Sequence, residues 1–379
     1  MHPGQGVRHT SPMSAEPPSR YPLRLLARGD GDDGPWAEIR MPLGPTVEPE
    51  AAALNLRWRR GPDGVSIRGP LTALGALGSR LSAETGGREL VAAAAALRRP
   101  PSPLHLGPTV WKFGATTRIL GIVNTTPDSF SGDGVDGSAE RAFERAAAMV
   151  EAGADAIDVG GESSRPGHTP VPADLEMARV VPAIERIARA LPVPVFVDTW
   201  KASVAEAALR AGAAGVNDIW GLRRDPEMAG VVARHRAALI LMHNRERPTY
   251  QDPVGEVLQE LAQGGELART AGIPHASLIL DPGFGFGKTP SQSVLLLAEL
   301  DQLTLLGQPV LIGTSRKSMV GYLLGNREVS GRLHGTTATL AWAAGHGAHL
   351  VRVHDVAEAH DTLAVVDRLR AKAAHRPHE

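Results

Sequence analysis

The chain has 379 residues, of which 42% are hydrophobic and 21% are charged, and its formal net charge at pH 7 is -1. This balance is typical of a globular protein and predicts no broad attraction to nucleic acid or to a membrane surface. The sequence contains no cysteine, which excludes disulfide bonds, zinc–thiolate sites, iron–sulfur clusters and cysteine nucleophiles.

Residues 1–20 are rich in proline, serine and glycine and contain no apolar core. We therefore expect a disordered tail there and not a signal peptide. No later apolar run approaches the roughly 20 residues that a membrane-spanning helix needs. These features together predict a cytoplasmic protein with no membrane partner.

Residues 21–99 are predicted to form a small N-terminal α/β accessory domain. Strand-like pieces lie at 53–59 and 64–68, and helices are predicted over 71–84 and 87–99. Because these residues form no group with recognisable chemistry, an accessory or interface role is favoured over a second active site.

Residues 100–117 are predicted to be a proline-rich linker and lead-in to the next domain. The stretch RRPPSPLHLGP at 98–108 contains four prolines and a glycine, which cannot sustain a helix or a central strand.

Residues 118–375 alternate short β-branched runs with amphipathic helical stretches, a pattern typical of a parallel sheet built from βα units. The predicted strands are 118–124, 156–160, 194–198, 215–219, 238–243, 277–281, 309–315 and 349–355. Eight such units in about 260 residues match a (β/α)₈ TIM barrel. A doubly wound open sheet is the alternative, because strand order is not encoded in the pattern.

One of the intervening helices carries specific end signals. Ser203 and Glu206 have the spacing of a capping box at its start, and Gly212 stands where a C-terminal cap belongs.

Polar residues follow nearly every predicted strand. A single strand-terminal Asp or Asn is often only the N-cap of the next helix. In a (β/α)₈ barrel, however, the carboxyl ends of all strands meet at one mouth, where the active site lies. The residues that this rule brings together are Asn124, Asp198, Asn217, Asp281, Ser315, Lys317, Arg352 and His354.

The charges of these residues predict two kinds of region that converge on one rim. An acceptor-rich region suits a flat heterocycle with several N–H donors, and it comprises Asp198, Asn217 and Asp281. A cationic region suits phosphate or carboxylate oxygens, and it comprises Arg165, Lys317, Arg352 and His354. No nucleophile with an adjacent base is evident, so stabilisation of a leaving anion is favoured over covalent catalysis. His243, which ends the fifth strand, is predicted to orient a loop.

The stretch DPGFGFGKT at 281–289 superficially resembles a phosphate-binding loop. A Walker-type loop requires glycine five residues before Gly287, where this chain has Pro282. Asp281 would also repel a bound phosphate. The stretch therefore predicts an acceptor followed by a turn that brings Phe286 beside an aromatic ring.

Seven motifs, in order, resemble those of the dihydropteroate synthases, a family of pterin-binding (β/α)₈ enzymes. They are GIVNTTPDSFSGDG (121–134), IDVGGESSRPG (157–167), VDTWK (197–201), VNDIWGL (216–222), DPGFGFGK (281–288), SRKSMVG (315–321) and RVHDV (352–356). The resemblance covers about two-thirds of the chain and leaves the role of the N-terminal domain open.

The resemblance implies that 6-hydroxymethyl-7,8-dihydropterin pyrophosphate is joined to p-aminobenzoate, with pyrophosphate leaving first in an SN1-like course. It implies catalytic roles for Asp198, Asp281, Lys317, Arg352 and His354. The implied pterin residues are Asp198, Asn217, Asp281 and Lys317. The implied pyrophosphate residues are Asn124, Arg165, Arg352 and His354, with Mg²⁺ on Asn124. The implied p-aminobenzoate residues are Ser164, Arg165, Pro166, Phe286, Ser315 and Lys317.

The resemblance also implies mobile loops at 125–137 and 161–169, small-molecule substrates, a homodimer, and inhibition by sulfonamide mimics of p-aminobenzoate. One alternative is a methyltetrahydrofolate:corrinoid methyltransferase, which would share the pterin acceptors but has no pyrophosphate to bind. The cationic group at Lys317, Arg352 and His354 argues against it. A second alternative is an inactive pterin-binding paralogue that acts through its N-terminal domain.

Overall fold

A computed structural model describes residues 21–31, 34–81, 86–126, 138–163 and 170–373. Within these ranges, no helix is long and apolar enough to cross a membrane.

The N-terminal residues form an antiparallel sheet with three helices, so the predicted combination of strands and helices is observed there. The strand order of this sheet is β1-β2-β4-β3. The elements are β1 (Arg24–Gly31), β2 (Gly34–Met41), α1 (Val47–Ala53), β3 (Arg57–Gly61), β4 (Gly64–Pro70), α2 (Leu71–Arg80) and α3 (Gly87–Arg98).

The sequence pattern predicts only two of the four strands of this sheet, β3 and β4. The strand predicted over 53–59 is wrong at its start, because Ala53 ends α1 and β3 begins at Arg57. Strands β1 and β2 were missed. In β1, charged and glycine residues fill the second half of the strand, so the alternation that marks a half-buried strand is weak there.

The segment predicted as a linker contains a short hairpin. Strands β5 (Leu104–Leu106) and β6 (Thr109–Trp111) pair antiparallel. Leu104, Leu106 and Trp111 are buried together with inward side chains of the barrel strands, including Phe196. The hairpin therefore closes the base of the barrel, a role that its prolines concealed.

The remaining chain forms a closed parallel barrel. Its strands are β7 (Arg118–Asn124), β8 (Ala156–Gly160), β9 (Val195–Asp198), β10 (Gly215–Asp218), β11 (Ala238–Met242), β12 (Leu278–Asp281), β13 (Leu311–Ile312) and β14 (Leu350–Val353). Consecutive strands are neighbours, and β14 pairs with both β7 and β13. A parallel bridge between Leu280 and Val310 completes the circle. The TIM barrel is therefore confirmed, and the open-sheet alternative is wrong.

Helices surround the barrel on its outer side. They are α4 (Ala139–Glu151), α5 (Ala173–Ala190), α6 (Ala202–Arg210), α7 (Met228–His235), α8 (Pro253–Thr270), α9 (Pro290–Ala298), α10 (Ser318–Leu323), α11 (Leu333–Gly345) and α12 (Val356–Ala373). Three 3-10 helices lie at His275–Ser277, Leu300–Leu306 and Val329–Gly331.

The predicted end signals of α6 are half right. Helix α6 begins at Ala202, so Ser203 lies inside it and caps nothing, and the capping box is wrong. Glu206 instead pairs with His235 at 3.0 Å on the neighbouring helix. Gly212 does cap the helix: its φ is +109°, and the N–H groups of Gly212 and Ala213 donate to carbonyls of the last turn at 3.2 and 3.0 Å.

Two apolar layers hold the barrel and leave its mouth polar. The larger core lies between strands and helices and continues into the N-terminal sheet. The smaller core fills the interior at the base, where Leu120, Ile240 and Leu350 meet the hairpin. Because apolar side chains occupy only the base, the inward-facing positions nearer the carboxyl ends are free for polar chemistry.

Candidate active site

The mouth of the barrel brings the predicted strand-end residues together. Gly160 ends β8 between Asn124 and Asp198, and a Cβ added to it would lie 3.6 Å from Asp198 Cβ and 3.8 Å from Asn124 Oδ1. The ends of β7, β8 and β9 therefore present their polar groups within one small area.

The centre of the mouth is a buried charge cluster around Arg352. Its Nε donates to Asp158 Oδ2 at 2.5 Å, and its Nη2 donates to Asp198 Oδ2 at 2.6 Å. Asn217 Nδ2 donates to the same Asp158 oxygen at 2.9 Å. The guanidinium of Arg352, a member of the predicted cationic region, therefore lies between two carboxylates, one of which, Asp198, belongs to the predicted acceptor-rich region.

Asp158 was missed by the sequence analysis, although it is fully buried. The signal was present: Asp158 is the one charged residue in the strand AIDVG, and it shares the inward face with Ala156 and Gly160. A carboxylate inside a fully buried strand needs partners there. A rule based on strand ends does not point to Asp158, because this residue lies in the middle of its strand.

Two acceptor oxygens in this cluster have no partner among the described residues. Asp158 Oδ1 and Asn217 Oδ1 are both buried and accept no hydrogen bond there. Buried acceptors of this kind are normally satisfied by a donor. A ligand with N–H groups would supply the missing donors.

Burial alters the protonation of both strand-end carboxylates. It raises the pKa of Asp198 to about 7, an effect that Arg352 opposes and Asp158 reinforces. Burial also raises the pKa of Asp281, against the opposing charge of Lys317. Asp281 Oδ1 accepts the N–H of Gly283 at 2.7 Å.

Lys317 lies across the mouth, beside the turn that follows β12. Its Nζ donates to the carbonyl of Phe284 at 2.6 Å and lies 4.6 Å from the ring centroid of Phe286. Burial lowers the pKa of Lys317 to about 8, while Asp281 acts in the opposite direction. The Lys317 ammonium and the Phe286 ring therefore form one wall.

Lys288 holds the same turn from inside. Its ammonium is buried and donates to the carbonyls of Gly283 and Phe286, each at 3.1 Å. Its Nζ also lies 2.8 Å from Nδ1 of His243. Burial lowers the pKa of Lys288 to about 7 and that of His243 to about 3. His243 therefore helps to fix a loop, in line with its predicted role, and Lys288 is a second residue that sequence reasoning missed.

Ser315 and His354 join the ends of the last two strands. Ser315 Oγ lies 3.0 Å from His354 Nδ1 and accepts the His354 N–H at 3.3 Å. Arg316 between Ser315 and Lys317 has a φ of +57° and pairs with Asp355 at 2.5 Å. The positive φ turns Arg316 away, so Ser315 and Lys317 are left to face the mouth.

Asn124 is the only predicted metal ligand, and it offers a single neutral oxygen. The described residues contain no group of three or more His, Asp or Glu side chains placed to hold a metal. Mg²⁺ usually keeps several waters and is often held by one or two protein oxygens together with substrate phosphates. Asn124 fits that kind of site and would not hold the ion alone.

Three predicted p-aminobenzoate residues lie outside the described residues: Ser164, Arg165 and Pro166. Most of the two predicted loops, 125–137 and 161–169, lies outside them as well. The remaining predicted site residues are all described, and all lie at the mouth.

Comparisons with known proteins agree with this geometry. The family model described as "Pterin binding enzyme" matches residues 120–354. A dihydropteroate synthase from Bacillus subtilis is 42% identical over 269 residues, which covers 71% of this chain and 94% of that protein.

Solved structures give the same picture. The Xanthomonas albilineans dihydropteroate synthase with 4-aminobenzoic acid has a TM-score of 0.67 and 41% identity, covering 72% of this chain and 99% of that one. The Thermus thermophilus enzyme in complex with 6HMPPP has a TM-score of 0.62 and 40% identity, covering 71% and 100%. This chain therefore belongs to the pterin-binding enzyme family and, within it, to the dihydropteroate synthases.

Proposed function

We infer that this protein joins 6-hydroxymethyl-7,8-dihydropterin pyrophosphate to p-aminobenzoate, releasing pyrophosphate and forming 7,8-dihydropteroate. The observation that carries this inference is the pair of buried, unpartnered acceptors on Asp158 and Asn217. Their surroundings fit a donor-rich heterocycle, and Arg352 beside them fits its anionic group. Relatives crystallised with 4-aminobenzoic acid and 7,8-dihydropteroate support the same reaction.

The pterin would lie at the centre of the mouth, against Asp198, Asn217, Asp281 and Lys317, with Asp158 below. Pyrophosphate leaves with the electrons of its C–O bond, and the amine nitrogen of p-aminobenzoate then forms the new C–N bond and loses a proton. Carboxylates at Asp198 and Asp281 would stabilise the pterin cation, because opposite charges attract strongly where water is excluded.

The leaving pyrophosphate would be bound by Asn124, Arg352 and His354, with Arg165 as a further contact. A Mg²⁺ ion on Asn124 would neutralise part of the charge on the departing oxygens. Removing divalent ions with a chelator should lower turnover, and added Mg²⁺ should restore it; full activity after chelation would contradict this assignment.

The p-aminobenzoate ring would lie against Phe286 and the Lys317 stem, and the Lys317 ammonium lies over the Phe286 ring. Ser315 would border the same pocket, together with Ser164, Arg165 and Pro166. A sulfonamide drug complex of the Yersinia pestis enzyme supports the expectation that sulfonamides compete for this pocket.

The reaction is tested by incubating the purified protein with pterin pyrophosphate and p-aminobenzoate, with and without Mg²⁺, and measuring dihydropteroate and pyrophosphate. Both products should form in equal amounts. A folded protein that binds pterin but forms neither product would favour the inactive paralogue. Methyl transfer from methyltetrahydrofolate to a corrinoid would instead favour the methyltransferase.

We propose that the protein forms a homodimer through the outer face of α9, α10 and α11. Large apolar side chains are exposed there, including Tyr322, Leu323 and Trp342 at 50%, 52% and 46%, around a cleft of about 310 Å³. Trp342→Glu should yield a monomer in light scattering. Trp58→Glu, at an equally exposed tryptophan on β3, is the matched control and should leave the mass unchanged.

We propose further that residues 21–99 form the accessory domain and that the barrel runs from 118 to 375. A chain that starts at residue 100 keeps the basal hairpin and should fold with lower stability and retained activity. A chain that starts at residue 118 loses the hairpin and exposes Leu120 and Phe196 at the base, so it should not fold. Equal behaviour of the two truncations would contradict these boundaries.

A further inference from the structure

We propose that a cleft between the accessory domain and the base of the barrel binds a small phosphate-bearing anion. This basal cleft has a volume of about 310 Å³ and is lined, among others, by Arg28, Arg98, Arg99, Gln308, His349 and Arg370. It lies at the end of the barrel opposite to the mouth, because Gln308 precedes β13 and His349 immediately precedes β14. The proposal is independent of the reaction at the mouth.

The charged side chains that line the basal cleft are all basic. Four of its lining residues are arginines, and none is acidic. Within the part of the chain that the structure describes, Arg28, Arg98 and Arg99 form no salt bridge, and Arg370 pairs with Asp367 at 3.0 Å. That carboxylate is shared, since it also accepts from the backbone N–H and the hydroxyl of Thr117 at 2.7 and 3.0 Å.

The positive charge of the basal cleft lowers the pKa of a neighbouring imidazole, that of His349. His349 is half-buried in the cleft, and its pKa falls to about 4, first through burial and then through the charges of Arg370 and Arg28. Two arginines from different domains therefore act on the same point. Like charges held together repel one another, and a bound anion would relieve that repulsion.

The walls of the basal cleft are fixed to each other. The carboxamide of Gln302 accepts the N–H of Leu25 at 2.8 Å and donates to its carbonyl at 2.6 Å, and both bonds are buried. Close packing continues along the cleft: a Cβ on Gly307 would lie 3.1 Å from Ala96 Cβ. Since these contacts already join the two domains, the backbone on either side of the basal cleft needs no rearrangement to bind a ligand.

The side chains favour phosphate over a single carboxylate. Guanidinium groups match phosphate oxygens through paired N–H donors. These groups reach the cleft from three elements, namely β1, the end of α3 and α12. A phosphate has enough oxygens to be contacted from several sides at once, whereas a single carboxylate has only two. Free inorganic phosphate and a small phosphomonoester share this chemistry.

The test is calorimetric titration of the full-length protein with inorganic phosphate and, separately, with glycerol 3-phosphate. Wild-type protein should show saturable binding, and tighter binding of one probe identifies the source of the phosphate group. The double variant Arg98→Gln/Arg99→Gln should bind about tenfold more weakly or worse, because two charged hydrogen-bond donors are lost. Arg57→Gln/Arg59→Gln on the exposed strand β3 is the matched control and should bind within about twofold of wild type.

Arg28→Gln gives an independent check from the accessory-domain side of the basal cleft and should also weaken binding. Phosphate that binds only at the barrel mouth would bind equally to wild type, to both double variants and to Arg28→Gln. That result, or the absence of saturable binding of either probe at millimolar concentration, would overturn the proposal.

Discussion

Asp158→Asn separates the folding role of the central carboxylate from its role toward the ligand. Both donors that reach Asp158, from Arg352 and Asn217, end on Oδ2, while Oδ1 accepts nothing among the described residues. An Asn whose amide oxygen replaces Oδ2 keeps both hydrogen bonds and places its NH₂ group where Oδ1 was. The acceptor offered to the pterin therefore becomes a donor.

Asp158→Asn should affect the free energy of folding less than it affects kcat/KM for the pterin substrate. The bond to Arg352 changes from charge–charge to charge–neutral, which should cost about 1 kcal/mol of folding free energy. A pterin N–H would lose a charged acceptor and meet another donor, which should cost about 3 kcal/mol, or roughly a hundredfold in kcat/KM for the pterin substrate. The KM for p-aminobenzoate should stay within about twofold, because Asp158 lies on the pterin side of the proposed site.

Urea unfolding and steady-state kinetics measure the two effects, and Asp155→Asn is the matched control. Asp155 also pairs with an arginine, Arg118, at 2.7 Å, but at the base of the barrel and a quarter exposed. Its replacement should cost about 1 kcal/mol of stability and leave kcat/KM unchanged. A folded Asp158→Asn that loses less than about threefold in kcat/KM for the pterin, or an equal loss in Asp155→Asn, would refute the reasoning.

Three further predictions concern the mouth. The pKa of Asp198 is about 7, so this carboxylate loses its negative charge as the pH falls below that value. The kcat/KM for the pterin substrate should therefore fall about tenfold per pH unit below pH 7. Asp198→Asn should remove that pH dependence. Lys288→Met removes the donor to the Phe286 carbonyl, so the KM for p-aminobenzoate should rise about tenfold while the KM for the pterin substrate changes little. Equal changes in the two KM values would contradict a role of Lys288 in positioning Phe286. Gly283→Ala should cost about 3 kcal/mol or more in urea unfolding, since its Cβ would lie 1.9 Å from a backbone oxygen at a φ of +70°. Gly272→Ala, at a φ of +91° in open space, should cost only about 1–2 kcal/mol.

The barrel was predictable because its strands are buried on both faces. All eight predicted strands overlap observed ones, and β7 and β8 match to the residue. The strand predicted over 309–315 is shorter than expected, because only Leu311 and Ile312 form β13. Apolar β-branched runs between glycine, proline and helical stretches carry that information in the chain itself. The hairpin at Leu104–Trp111 did not follow such a pattern, because its strands have three residues each and stand among prolines.

The pairing within the site was not predictable in the same way. The sequence placed Arg352 and Asp198 at the same mouth, but their ion pair spans 154 positions along the chain. Which groups pair across the barrel depends on the relative heights and directions of the side chains on β8, β9 and β14. The heights and directions of these side chains are set when the barrel closes, and the sequence of each strand by itself does not reveal them.

The DPGFGFGKT turn shows why glycine–lysine spacing alone does not identify a phosphate loop. In a phosphate loop, the backbone N–H groups and the lysine point at the ligand. Here the N–H of Gly283 is taken by Asp281, and that of Gly285 donates to Ser293 at 3.3 Å. The ammonium of Lys288 is bound to carbonyls of its own turn. Because these donors are already used internally, the turn presents its carboxylate and the Phe286 ring to the mouth. This agrees with the proposal that Arg352 and His354 bind the phosphate groups there.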